Sequence, residues 1–127
     1  MHLTTREKER LLIFNTAELA RRRMLNGIKL NSPEAIAIIC DELVEQAVAG
    51  RKSLAEIISF GTNILSKEDV LPGVKELIPI IQVEGMLSDG TKLITVYDPI
   101  RLDTREEIGE WNYLTITEIG SKNVSTI

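Results

Sequence analysis

The chain has 127 residues, of which 43% are hydrophobic, so it is long and apolar enough to bury the core of one domain. Only 4% of the residues are aromatic, which predicts an aliphatic core. The formal net charge of −4 argues against nucleic acid and anionic membranes as partners, because both attract basic surfaces.

The first predicted element is a helix from Thr4 to about Leu25. Thr4 and Glu7 have the spacing of a capping box, and Asn26-Gly27 is a stop signal. An apolar stripe recurs at helical spacing between two flanking leucines: Ile13, Ala17, Ala20 and Met24, flanked by Leu12 and Leu19. The arginines from Arg21 to Arg23 suit the negative end of the helix dipole and solubility, with an anion or partner contact as the alternative interpretation.

The second predicted helix follows a short link. Ser32 is its expected N-cap, with Pro33 at the first helical position and Glu34 in the first turn, and Gly50 ends it. The predicted buried stripe consists of Ile36, Ile39, Cys40, Leu43 and Ala47. Three carboxylates lie off this stripe and are expected on a solvated face without acid–base chemistry: Asp41, Glu42 and Glu45.

Two shorter helical elements are predicted next. Ser53 and Glu56 form another capping box, and Gly61 ends or bends the helix that they open. Ser66 with Asp69 suggests a short fourth helix, which stops near residues 72–73, and residues 74–78 are expected to make one further turn.

Residues 80–99 are predicted to form a β-hairpin with a type I′ turn at Asp89-Gly90, since that turn needs positive φ at both central residues. The expected register pairs Ser88 with Thr91, Leu87 with Lys92, Gly85 with Ile94 and Val83 with Val96. Alternation along the strands predicts an apolar face of Ile81, Val83, Leu87, Ile94 and Val96, and a mixed face of Gln82, Glu84, Met86, Leu93, Thr95 and Tyr97. Because a lone hairpin is barely stable in water, the apolar face must pack on the preceding helices.

The predicted fold class is therefore α+β, with an N-terminal bundle of three to four helices packed with a C-terminal antiparallel β-hairpin. Residues 1–100 are expected to form the domain, and residues 101–127 a C-terminal extension. Arg101 to Glu110 is charged and expected to be exposed, and Tyr113 to Thr117 has the composition of a strand.

The search for catalytic and ligand-binding residues is negative. His2 is the one histidine and lies at the terminus, and Cys40 lies in a helical stripe, so neither a metal-spaced Cys/His cluster nor a base for a cysteine nucleophile is present. The sequence contains no phosphate-binding loop of the Walker or Gly-x-Gly type. No catalytic, cofactor-binding or metal-binding residue is predicted on this chain.

The sequence also suggests a compartment. A single cysteine excludes an internal disulfide and fits a cytoplasmic protein. No apolar run approaches the roughly 20 residues that span a bilayer. The polar N-terminus does not resemble a signal peptide.

Two functions outside catalysis fit this order of elements. Three helices followed by a hairpin is the order of a winged-helix DNA-binding domain, but the third predicted helix carries Glu56 and no basic residue that could reach a phosphate or a base. A small adaptor that binds partners through the mixed face of the hairpin is the second alternative.

Several short stretches have the order and spacing of a known family. They are Leu3-Thr4, Arg6-Glu7-Lys8, Gly27-Ile28-Lys29-Leu30-Asn31, Pro33-Glu34-Ala35, Ile78-Pro79, Ile81-Gln82-Val83-Glu84, the run from Asp89 to Val96, and Pro99-Ile100. On these stretches residues 1–100 resemble the urease gamma subunit. Three positions depart from the usual family pattern: Ser32 replaces tyrosine, Gly85 replaces alanine, and Tyr97-Asp98 replaces a pair that begins with histidine.

The resemblance implies a non-catalytic subunit of a nickel-dependent urease, which hydrolyses urea to ammonia and carbonic acid. It implies urease alpha and beta subunits as partners in a trimer of heterotrimers, with the nickel ions and catalytic residues on the alpha subunit. Candidates for structural or interface roles in the matching stretches are Gly27, Asn31, Pro33, Glu34, Gln82, Glu84, Asp89, Gly90 and Lys92. Within the extension, Leu114 to Val124 resembles the entry to a urease beta region, and a truncated gamma–beta fusion, an interface arm and a disordered tail are the alternatives.

Overall fold

The computed structural model describes residues 2–108, which form an α+β domain as predicted. Three helices precede a two-stranded antiparallel sheet: α1 Thr5–Leu25, α2 Ser32–Ala49, α3 Leu54–Gly61, β1 Ile80–Leu87 and β2 Gly90–Tyr97. Three single 3-10 turns complete the described chain: Lys67–Asp69, Lys75–Leu77 and Arg105–Glu107. The first of these stands where a short fourth helix was predicted.

Each α-helix begins with a capping box, in which the N-cap side chain and the glutamate three residues later bond each other's backbone N–H. Thr4 and Ser53 are N-caps as predicted. For α2 the prediction was wrong by one residue, because the N-cap is Asn31 rather than Ser32. Asn31 Oδ1 accepts a 3.0 Å hydrogen bond from the Glu34 N–H, so Ser32 and Pro33 become the first two helical residues.

The hairpin forms, but its predicted turn and register were wrong. Leu87 pairs with Gly90, so the two-residue loop is Ser88-Asp89, and Val83 pairs with Ile94 rather than Val96. A type I′ turn is excluded, because positive φ occurs at Gly90 (126°) but not at Ser88 or Asp89. The pairing is displaced by two residues, which is one full side-chain period, so every side chain stays on its predicted face.

Helix α2 is the centre of the packing, because it contacts α1, α3 and β1, and α3 in turn contacts β2. The apolar hairpin face lies on these helices, with Ile81, Ile94 and Val96 at most 4% exposed. The largest fully buried residues are aliphatic, as predicted: Leu30, Ile38, Ile39, Leu43, Ile57, Ile64, Leu65, Ile78, Ile94, Val96, Pro99 and Ile100.

One residue of the predicted α2 stripe is exposed, and so are the two leucines that flank the α1 stripe. Leu12 and Leu19, which flank the α1 stripe, are 65% and 44% exposed, and Ile36 at the start of the α2 stripe is 38% exposed. The centre of the α1 stripe is made of small residues, since Ala17 and Ala20 are fully buried. Small side chains allow close approach to α2 but leave little apolar area to join the two helices.

After β2 the chain runs back beside the loop that follows α3, where Leu102 forms a parallel bridge with Ser66. Pro99 and Ile100 are buried, Leu102 is half-buried, and Ile108 is 6% exposed. Arg101 is exposed as predicted, but burial of Ile108 differs from the exposure predicted for this stretch. The predicted strand Tyr113 to Thr117 lies outside the described residues. Among residues 2–108, no helix has the length and apolar character needed to cross a membrane.

Candidate functional site

The candidate residues fall into two groups on different elements. Gly27, Asn31, Pro33 and Glu34 lie at the junction of α1 and α2, whereas Gln82, Glu84, Asp89, Gly90 and Lys92 lie on the hairpin. The hairpin group divides again. Gln82 and Glu84 are exposed on the outer face, but Lys92 alternates with Ile94 and Val96 and so belongs to the inner face near the loop.

The junction group serves the fold directly. Gly27 has a φ of 73°, which reverses the chain after α1. Asn31 and Glu34 cap α2, and the other carboxylate oxygen of Glu34 accepts a hydrogen bond from Arg23 of α1. Glu34 is only 5% exposed. Charge pairing with Arg23 and the α2 N-terminus accounts for a buried carboxylate at this point.

The outer face of the hairpin consists of Ile80, Gln82, Glu84, Met86, Leu93, Thr95 and Tyr97. Its apolar members are unusually open, since Met86 and Tyr97 are each 66% exposed and Leu93 is 54% exposed. Leu93 pairs across the strands with Glu84, which also lies 3.1 Å from Arg6 of α1. A mixed surface of this kind on a regular element is typical of a contact with another chain.

A buried ion-pair network joins α1 to α2. Arg21 is 5% exposed and donates hydrogen bonds of 2.5 Å to Glu18, Asp41 and Glu42. The guanidinium of Arg21 therefore connects α1 to two successive residues of α2, Asp41 and Glu42. Burial opposes the charged form, but the bonds to Asp41 and Glu42 outweigh it and raise the pKa of Arg21 above its ordinary value.

Arg10 extends the same network toward the start of α1. Its Nη1 lies 2.7 Å from Asp41 Oδ1, and its Nη2 lies 2.6 Å from Glu45 Oε1. Asp41, which is 3% exposed, is therefore held between Arg10 and Arg21. The network, defined as Arg10, Glu18, Arg21, Asp41, Glu42 and Glu45, adds polar contacts between α1 and α2 beside the small residues of the α1 stripe.

The solvated carboxylate face predicted for α2 was therefore wrong for Asp41 and Glu42, and right only for Glu45. Arg21 was predicted to suit the helix dipole and solubility, with an anion or partner contact as the alternative, and no role was predicted for Arg10. The sequence does contain a signal for this pairing. Arg10 and Arg21 lie at the edge of the apolar stripe of α1, and Asp41 lies at the edge of the apolar stripe of α2. Opposite charges at the edges of two facing apolar stripes indicate a buried pair.

Glu42 and Cys40, which lie next to Asp41 in α2, both have raised pKa values. Burial raises the pKa of Glu42, although its bond to Arg21 offsets part of the effect. Burial, reinforced by the Asp41 carboxylate, raises the pKa of the Cys40 thiol to about 11. A thiol of that kind stays protonated near neutral pH and is a poor nucleophile or metal ligand. Cys40 is thus a packing residue.

Among residues 2–108, no group of three or more His, Cys, Asp or Glu side chains is arranged to hold a metal ion. A shallow cavity of about 310 Å³ lies beside the α1–α2 link, with Met24, Ile28, Lys29 and Asp69 among its lining residues. Lys29 Nζ there donates a 2.7 Å hydrogen bond to the Glu68 carbonyl. The residues that line the cavity place no base beside a nucleophile.

Comparisons with known proteins agree with this picture. The family profile described as "Urease, gamma subunit" matches residues 1–100. The chain is 54% identical over 110 residues to the urease subunit gamma of Natronomonas pharaonis, which covers 87% of this chain and 100% of that protein.

Two further relatives are longer proteins. The urease subunit gamma/beta of Pseudomonas syringae pv. syringae and that of Pseudomonas syringae pv. tomato are each 54% identical over 101 residues. Each match covers 80% of this chain but 43% of the relative. The chain therefore spans less than half the length of these gamma/beta proteins.

Proposed function

Because the chain belongs to the urease gamma subunit family, we propose that it is the gamma-type structural subunit of a nickel-dependent urease and acts in assembly of the complex. The observation that carries the proposal is the family match over residues 1–100, together with 54% identity over the full length of a urease subunit gamma. The complex would hydrolyse urea to ammonia and carbonic acid.

We propose that catalysis and nickel binding belong to the alpha subunit of that complex. Nickel sites in proteins favour imidazole and thiolate ligands over carboxylates alone. This chain contains only one histidine and one cysteine, which are too few to form such a site. The raised pKa of Cys40 further reduces its ability to act as a thiolate ligand. The contribution of this chain to the reaction is then indirect, through the shape of the assembly.

The partners proposed are one alpha and one beta chain per copy of this chain, arranged as a trimer of heterotrimers in the cytoplasm. The gamma/beta names of the Pseudomonas relatives support a beta region as a neighbour. We assign the partner contact to the outer face of the hairpin, which exposes Met86, Leu93 and Tyr97. The opposite face of the hairpin packs on α2 and α3, which holds the outer face in place. Gln82 and Glu84 supply polar contacts within the same surface.

Co-expression tests the proposal directly. The full chain is produced with candidate urease alpha and beta chains, and the products are sized and assayed for urea hydrolysis. We expect one complex that contains all three chains, with activity lost when this chain is omitted.

Elemental analysis gives the second measurement. The complex should hold nickel, and the isolated full chain after desalting should not. Stoichiometric nickel on the isolated chain, or full activity without it, would contradict the assignment.

A further inference from the structure

The eight residues that follow Ile100 are held on the domain by more than chain connectivity. The guanidinium of Arg101 donates to the backbone carbonyls of Tyr97 (2.7 Å) and Asp98 (2.9 Å), which turns the chain sharply after β2. The Leu102 carbonyl then accepts a 2.8 Å hydrogen bond from the Lys67 N–H, and Leu102 forms a parallel bridge with Ser66. The segment thus adds a short strand contact to the loop that follows α3.

The side chain of Arg105 makes the strongest connection. Its Nε donates a 2.8 Å hydrogen bond to Asp69 Oδ1, and the two side chains are only 13% and 7% exposed. A charged hydrogen bond shielded from water is stronger than an exposed ion pair, because solvent and salt screen it less. Three residues later Ile108 is 6% exposed, so the segment is fixed at both ends.

Asp69 is also held in position by partners other than Arg105. Its other carboxylate oxygen accepts hydrogen bonds from the Ser66 N–H (2.7 Å) and the Ser66 hydroxyl (2.8 Å). Its backbone carbonyl accepts a hydrogen bond from the Leu30 N–H, which fixes it to the link before α2. Asp69 therefore presents one oxygen in a set direction, as a receptor for a guanidinium should.

We infer that residues 101–108 are an intramolecular latch whose receptor is formed by Ser66, Lys67 and Asp69. The latch fixes the point and the direction at which the chain leaves the domain. All eight residues lie beyond the part that the family profile matches, which ends at residue 100. Whatever follows residue 108 then starts from a fixed position on the domain, instead of from a free end of β2. The inference does not depend on the proposed function.

Limited proteolysis of the full chain tests the latch. Trypsin cleaves after arginine, and Arg51 in the exposed link between α2 and α3 provides an internal reference. In the natural chain we expect cleavage after Arg105 to be slower than cleavage after Arg51. In Asp69→Asn, cleavage after Arg105 should rise relative to Arg51 by about tenfold, because loss of a charged hydrogen bond raises the open population by that order.

Hydrogen exchange at the Lys67 amide gives a second measurement that does not require a cleavage site. That amide donates to the Leu102 carbonyl, so opening of the latch exposes it to water. Arg105→Gln should accelerate its exchange while amides in α2 keep theirs, and this variant serves even where Asp69→Asn fails to fold. Lys92→Gln is the matched control, because it removes only the exposed ion pair with Asp89 (2.9 Å), which belongs to neither the latch nor its receptor, and should leave cleavage after Arg105 unchanged.

The outcomes are distinct. Rapid cleavage after Arg105 in the natural chain would overturn the latch. Unchanged Lys67 exchange in a folded Arg105→Gln variant would overturn it as well, since the arginine would then hold nothing in place.

Discussion

The Arg21 guanidinium bonds two carboxylates of α2, Asp41 and Glu42, from its position on α1. In Arg21→Met the aliphatic stem is kept, but Asp41 and Glu42 lose a buried counter-charge. We expect a loss of about 3–5 kcal/mol in the free energy of unfolding, the range for breaking one side of a buried ion pair. Guanidinium chloride denaturation of the isolated full chain measures it.

The neighbouring arginine provides the control for that experiment. Arg22 is exposed, so Arg22→Met makes the same chemical change outside the network. It should alter stability by less than about 0.5 kcal/mol. Equal effects of the two substitutions would show that the network adds nothing beyond surface charge.

Packing between the hairpin and α2 depends on one missing methyl group. A Cβ added to Gly85 would lie 2.5 Å from Ile94 Cδ1 and 3.0 Å from the Ala47 Cβ. Gly85→Ala alone should therefore cost about 1–3 kcal/mol, as overpacking does.

The second substitution in this pair is chosen from the same distances. Ile94→Val removes the Cδ1 atom that the new Cβ meets, so the double variant should be more stable than the two separate losses predict, by about 1 kcal/mol or more. Thermal melting of the four proteins completes the cycle. Strictly additive losses would mean that Gly85 and Ile94 do not share this space.

At the scale of elements, the capping boxes predict how stability depends on pH. Bonds from the Ser53 backbone N–H and side chain lower the pKa of Glu56 below its ordinary value of 4.5. The folded pKa is then below the unfolded one, so the stabilisation is present above pH 4.5 and is lost as the pH falls through the folded pKa. The melting temperature of the natural chain should therefore fall as the pH is lowered below 4.5.

Glu56→Gln tests the source of this pH dependence. Glutamine can accept the same capping bond but carries no titrating charge, so the fall in melting temperature below pH 4.5 should be smaller. Glu76→Gln, at an exposed glutamate in the turn Lys75–Leu77, should follow the natural chain. A Glu56→Gln profile that coincides with the natural one would rule out this cap as a source.

The elements themselves were predictable because their signals are local. Caps, helix stops and the alternation of β1 and β2 depend on neighbouring residues, and they placed α1, α3 and both hairpin faces correctly. The hairpin turn was not predictable from Asp89-Gly90 alone. Gly90 can be the second central residue of a type I′ turn or the first residue after a two-residue loop, and both registers keep every side chain on the same face.

The interior charges could not be predicted from single residues, because they depend on contacts across the fold. Arg21 and Asp41 are 20 residues apart, and Asp69 and Arg105 are 36 apart. Each residue taken alone has the composition of a solvated surface, and only tertiary packing makes burial favourable by supplying the opposite charge. The apolar core lacks this ambiguity, since burial of Ile39 or Leu43 needs no specific partner.

At the scale of the whole molecule, stability and assembly should be separable on the hairpin. The inner face holds the domain together, while the outer face leaves Met86, Leu93 and Tyr97 to solvent. A substitution that keeps the hairpin intact but breaks its apolar outer surface should then act only on complex formation. Leu93→Lys satisfies both conditions, because Leu93 pairs with Glu84 and the new ammonium faces a carboxylate across the strands.

The free energy of unfolding of Leu93→Lys should lie within about 0.5 kcal/mol of that of the natural chain, because the replaced side chain is exposed. Co-expressed with urease alpha and beta chains, it should yield less complex and less urea hydrolysis, because a buried ammonium at a partner surface is left without its water. Leu77→Lys is the matched control, at a leucine that is 69% exposed but lies outside the hairpin. Sizing and activity are compared at equal expression. If Leu77→Lys impairs assembly as strongly, or if Leu93→Lys assembles fully, the outer face of the hairpin is not the surface on which the complex is built.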